Sequence, residues 1–132
     1  TFPDLQAESA HAAARILPQT LTDFASGKLQ PRVQDENNAT YTAKFQREDG
    51  FIDPVLLKAA MSGESLEAAQ EIERKIRALN PEPGTWTLGK AFIDLKIEPE
   101  KEVKIIRTRL DDGKLLPEII QIAGKTPQKY FN

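Results

Sequence analysis

The sequence predicts an α+β fold, a small antiparallel β-barrel with one helix packed on it, and three observations carry that prediction. Leu66, Ala69, Ile72, Ile76 and Leu79 recur at spacings of three and four, the buried stripe of an amphipathic helix. Short apolar runs then follow one another: TWTL (85–88), AFIDLKI (91–97), VKIIRTRL (103–110) and KLLPEIIQI (114–122). Asp112-Gly113 separates the last two, a pair that favours a tight turn between antiparallel neighbours. With 132 residues, 39% apolar and 29% charged, the chain suits one globular domain with a tail or linker. The absence of cysteine fits a reducing compartment and removes thiolate and iron–sulfur chemistry, and a lone histidine, His11, excludes a His-rich metal centre. No stretch approaches about 18 consecutive apolar residues, and no basic region precedes an apolar core at the N-terminus. A cytoplasmic chain with no membrane segment is therefore expected.

Taken in order, Ala10, Ala13, Ala14, Leu17, Leu21 and Phe24 form a helical stripe between Asp4 and Ser26, and Gly27 supplies the stop. Pro18 lacks a backbone donor, so it is expected to kink this helix or divide it. His11 shares the polar face with Glu8 and Arg15, a solvated setting. From Lys28 to Asp53 the periodicity disappears, and Pro31 with the DENN cluster marks a linker or extended arm. Its Asn38-Ala39-Thr40 sequon has no consequence in a chain without a secretory signal. Residues 54–63 predict a short helical turn closed by Gly63. Ser65 is the expected N-cap of the clearest helix, whose outer face carries Glu71–Lys75 and Glu73–Arg77 at i,i+4. Asn80-Pro81-Glu82-Pro83-Gly84 ends it in a rigid turn. In AFIDLKI, Ile93, Leu95 and Ile97 alternate with polar positions and are expected to be buried. Pro117 demands an edge or a bulge. One helix among four or five short strands suggests the five-stranded oligonucleotide/oligosaccharide-binding (OB) type of barrel.

The catalytic signals are weak. Asp49, Asp53, Asp111 and Asp112 all sit in turn-like contexts that favour aspartate for its backbone bonding. Gly124-Lys125-Thr126 has the tail of a phosphate loop without its upstream glycine, and Ser62 and Ser65 lack a nearby histidine. Net charge is −2, yet residues 101–132 hold seven basic against four acidic side chains. A polyanion-facing surface would draw on that third.

The runs LPQTLTDFASGKLQPRVQDENNATYTAKFQREDGFID, EIERKIRALNPEPGTW and GKLLPEIIQIAGKTPQKYF closely resemble the C-terminal part of the methionyl-tRNA formyltransferase family. That family typically reads Q-D-x-x-x-A-T-Y-A-x-K, E-x-G-x-I-D-W, I-R-A-x-N-P-W-P-G and a G-K-x-P-M tail. The resemblance covers residues 9–132 apart from an apparent insertion around 54–66. Pro54 and Glu82 stand where the family usually has tryptophan, and Gln128 where it has methionine.

The resemblance implies three parts: 1–27 as the last helix of a catalytic domain otherwise absent from this chain, 28–50 as an interdomain linker, and 51–132 as an OB-like tRNA-binding domain. The family's enzyme formylates initiator methionyl-tRNA from 10-formyltetrahydrofolate in translation initiation, with an Asn/His/Asp set that matches nothing here. His11 is not its histidine. The chain is thus expected to be a catalytically silent, monomeric fragment with no cofactor of its own, whose partners are initiator tRNA and the catalytic domain. Candidate tRNA contacts are Lys28 and Arg32 in the linker, Lys44 at the A-T-Y-x-x-K lysine, Arg77, and Lys125 in the G-K-x-P tail. Phosphate contacts of this kind provide most of the affinity for RNA and make it salt-dependent. The alternative is the related C-terminal module of sugar-nucleotide formyltransferases or formyltetrahydrofolate dehydrogenase, which would face a small substrate.

Overall fold

The computed structural model describes residues 1–130 and divides them into two units, one from Thr1 to Lys44 and one beginning at Phe45. The first holds helix α1 (Phe2–Ala25). The Thr1 hydroxyl donates to the Asp4 carboxylate at 2.5 Å, which places an anion in the first turn, at the positive end of the helix. α1 passes through Pro18 as one element, so the expected division does not occur. Proline removes a single N–H from the ladder. Around it the Thr20 and Thr22 hydroxyls donate to the Ile16 and Pro18 carbonyls, both at 2.9 Å. The Lys28 and Leu29 amides still donate to Asp23 O, and from there to Lys44 the one regular element is a 3₁₀ turn at Glu36–Asn38, where Asp35 accepts from the Asn37 amide at 3.0 Å.

The second unit opens with a 3₁₀ turn at Arg47–Gly50, stabilised by the Asp49 carboxylate, which accepts from the Gln46 amide at 2.7 Å. Asp53 caps α2 (Pro54–Ser62) by accepting from Val55 N at 2.7 Å, and Pro54 takes the first helical position, where its missing donor costs nothing. Two of the candidate carboxylates are thus turn and cap formers. Ser65 accepts from Ala68 N at 3.2 Å and starts α3 (Leu66–Leu79), which buries Ala68, Ala69, Ile72, Ile76 and Leu79. Leu66, expected on the buried face, is more than half exposed at the first position of the helix. Lys75 does not pair with Glu71: its ammonium donates to the Phe51 carbonyl at 2.8 Å.

The sheet is antiparallel and runs β1 (Thr85–Leu88), β2 (Glu102–Asp111), β3 (Lys114–Ile122), β4 (Gln128–Lys129) in spatial as well as chain order. β1 and β4 are not paired, so the sheet is open where a closed barrel was expected; a parallel bridge from Phe51 to Trp86 sits beside β1. Asp112 and Gly113, with φ of 46° and 76°, make the expected turn between β2 and β3. Positive φ at both central residues matches the twist of a two-residue hairpin. The register shifts on either side of Arg107, and Pro117 lies opposite Thr108 next to that irregularity, as its missing donor requires. α2 and α3 pack on each other and on the sheet around Leu57, Phe92, Val103, Ile105, Leu115 and Ile120, all at most 1% exposed.

Residues 91–97 are not a strand. Gly89 N donates to Lys101 O at 2.7 Å and Lys90 N to Pro99 O at 2.9 Å, which closes 89–101 into a loop. Inside it the bonds are local, such as Phe92 N to Gly89 O at 2.9 Å, so no partner strand is engaged. The expected faces hold only in part: Leu95 and Ile97 pack partly buried against the core, but Ile93 is 78% exposed and Phe92 takes the buried place at 1%. The Asn80 amide ties the preceding turn to the sheet, donating to Ile105 O at 3.0 Å and to the buried Thr85 hydroxyl at 3.2 Å.

Candidate nucleic-acid interface

Alternation in β1 buries Thr85 and Thr87 and leaves Trp86 on the opposite face. Trp86 is directly opposite Lys104 on β2, and Lys104 opposite Gln121 on β3. Residues facing each other across a ladder share one side of the sheet, so these three form a row about 10 Å long. Both ends of the row are fixed. At one, the Trp86 indole N–H donates to the Arg47 carbonyl at 3.1 Å, and the Arg47 guanidinium lies 4.5 Å from the ring centroid. That cation sits on the electron-rich face of the indole. It also pairs with Glu102. The Phe51 ring packs 4.8 Å from the same indole at 55°. At the other end the Gln121 amide donates to the Lys125 carbonyl at 2.9 Å, holding the turn that carries Lys125. Lys104 and Lys125 are exposed, and no carboxylate pairs with either among the described residues. With the charge of Arg47 balanced by Glu102, the strip presents two uncompensated cations, Lys104 across the ladder from the indole and Lys125 on the turn at the far end.

Lys125, singled out from its motif, is therefore part of a strip whose other members the motif did not mark. Arg77, in the last turn of α3, pairs with Glu73 at 2.7 Å. Lys28, Arg32 and Lys44 are exposed residues of the first unit, with the Lys28 ammonium 3.9 Å from Asp23. His11 is exposed on α1. Trp86, Lys104, Gln121 and Arg47 went unmarked because their alignment arises from strand register across separations of 17 residues and more. An indole in a strand that alternates with buried threonines was the one signal the sequence offered.

Elsewhere in the second unit, Tyr130 packs edge-on against Phe92 at 5.3 Å. Its buried hydroxyl has no hydrogen-bond partner among the described residues, and burial, with the charge of Asp94, raises its pKa above the ordinary value. No group of three or more His, Cys, Asp or Glu side chains could hold a metal ion among the described residues, and no described helix is long and apolar enough to cross a membrane.

Helices packed on an open antiparallel sheet, with a cationic strip on the sheet face that carries Trp86, define an α+β class of protein. Residues 66–129 match the family model described as formyl transferase, C-terminal domain, and the chain belongs to that family. Its relatives include the methionyl-tRNA formyltransferase of Dictyoglomus turgidum, 32% identical over 114 residues, 86% of this chain and 33% of that protein. That of Rhizorhabdus wittichii is 32% identical over 137 residues, 95% of this chain and 40% of that protein. That of Heliobacterium modesticaldum is 30% identical over 126 residues, 87% and 34% respectively. The chain thus spans about a third to two fifths of the length of these curated relatives.

Proposed function

We propose that the chain serves a methionyl-tRNA formyltransferase as the part that holds initiator tRNA, while formyl transfer from 10-formyltetrahydrofolate is carried by residues other than its own. The observation that carries this reading is the row Trp86–Lys104–Gln121 with Lys125 fixed at its end. Two cations on a rigid sheet face can meet successive phosphates without reading bases, which suits a partner recognised by shape. The indole is already covered by Arg47 and Phe51, so its role is to fix the strip rather than to stack a base. Lys28, Arg32 and Lys44 would add phosphate contacts from the first unit, and Arg77 would join them by exchanging Glu73 for a phosphate. The OB-like reading of the second unit is supported by the Phe51–Trp86 bridge, which brings a fifth extended segment to the sheet. Such a protein would work as a monomer in the cytoplasm, away from membranes, in translation initiation.

Titration of labelled initiator tRNA at several salt concentrations tests the reading. Lys104→Ala and Lys125→Ala should each weaken binding by about 1 kcal/mol and make the log–log salt dependence shallower by about one unit for every phosphate interaction removed. Lys44→Ala should follow the same pattern. Glu71→Ala, on the exposed face of α3, should change neither. A flat salt response, or lysine variants that bind like the Glu71 control, would favour the small-substrate module of another formyltransferase.

A further inference from the structure

We propose that a cleft beside the β2–β3 hairpin is a phosphate site, occupied in the free protein by the carboxylate of Glu118. The cleft has a volume of about 320 Å³, and Arg107, Arg109, Glu118 and Lys129 all contribute to its walls. Arg107 Nε donates to one Glu118 oxygen at 2.7 Å, and Arg109 Nε stands 3.6 Å from the other. Two guanidinium groups thus converge on the two oxygens of one anion. Two oxygens of a phosphate satisfy the same donors, with more charge and further acceptors to spare. The register shifts around Arg107 lie in the same stretch of β2 as this convergence. Arg109 makes a second contact, its Nη1 donating to Asp111 at 2.9 Å, which leaves its Nε for the anion.

Exchange is feasible because the resident pair is accessible. The side chains of Arg107 and Arg109 are 66% and 55% exposed, and that of Glu118 32%. Ion pairs with this much solvent access contribute little net stability, so a stronger anion can displace the carboxylate. Beneath the charges the wall is apolar, with Leu115, Pro117 and Tyr130 all buried. The phosphate could be a diester in an RNA backbone or a free phosphate; the inference rests on the function proposed above only for the first source.

Two titrations of the full chain test it, one with labelled initiator tRNA and one with inorganic phosphate followed by the backbone amide NMR signals of the β2–β3 hairpin. Glu118→Gln, which keeps the side-chain shape, should tighten binding of both by about two- to fivefold, the range an exposed ion pair spans. The double variant Arg107→Ala/Arg109→Ala should weaken binding, and adding Glu118→Gln to it should produce no gain. Glu118→Ala, checked with the others by its melting curve, provides a second variant with the same expected direction. The proposal is overturned if the Glu118 variants melt normally yet bind both ligands no better than wild type. It is equally overturned if their gain persists without the two arginines, which would mark a general charge effect. A gain for inorganic phosphate alone upholds the site and assigns it to free phosphate. A gain for tRNA with Lys104→Ala and Lys125→Ala silent upholds it too, while the strip reading fails.

Discussion

No residue from Thr1 to Lys44 is buried, whereas the unit that begins at Phe45 gathers one cluster reaching from Ile52 to Tyr130. The first unit is not short of apolar side chains: Ile16, Leu17, Leu21 and Phe24 on α1 are each more than half exposed. Within that unit no second α-helix or strand is formed to cover them. A lone helix of 24 residues depends on local terms such as the Thr1–Asp4 contact and the Gln19–Asp23 hydrogen bond at 3.0 Å. Such terms contribute tenths of a kcal/mol each and leave isolated helices marginal in water. α3, with 14 residues, is shorter, yet it packs against α2 and the sheet. The comparison shows that an amphipathic pattern specifies a helix, while tertiary partners supply its stability.

Substitutions at matched apolar positions can break or sharpen this contrast. Phe92→Ala should have the largest effect, because the ring is 1% exposed and meets Tyr130; a loss of about 3–5 kcal/mol is expected in chemical denaturation. Retention of wild-type stability would remove Phe92 from the core. Tyr130→Phe comes next, expected within about 1 kcal/mol of wild type at neutral pH and on the stabilising side, since it deletes a buried hydroxyl without a partner among the described residues. It should also change the alkaline response. The folded pKa of Tyr130 lies above the ordinary 10.0, so the unfolded chain loses its proton first and stability falls as pH rises past that value. Melting curves across that range should fall less steeply for the phenylalanine variant than for wild type. Leu21→Ala in α1 should be the smallest, within about 0.5 kcal/mol by the same denaturation assay. A destabilisation near that of Phe92→Ala would mean that the helix has a covered face after all.

Local rules are readable where one short segment decides the outcome. Ser65 as a cap, α2 ending at Gly63 and the Asp112-Gly113 hairpin all follow from neighbours within a few residues. AFIDLKI departs from its pattern because strand formation needs a partner as well as alternation. Gly89 lies so close to the Glu98 carbonyl that a Cβ there would collide with it, and that approach folds the segment into its loop. Closure of the sheet is unreadable for a related reason, since it depends on whether β4 reaches β1. In the strip, Lys125 carries a motif, whereas Lys104 is one lysine among many until β2 is registered against Trp86 and Gln121. The Arg107–Glu118–Arg109 cluster depends on the same pairing.

Trp86 is the chain's one tryptophan, so its near-ultraviolet emission arises from a single place. Its ring lies under the Arg47 guanidinium, and its N–H is engaged by a carbonyl. An indole's colour and brightness follow the charges and dipoles around it. A polyanion that draws Arg47 off the ring would therefore change the spectrum of the unlabelled protein, making the strip an optical probe of its own occupancy.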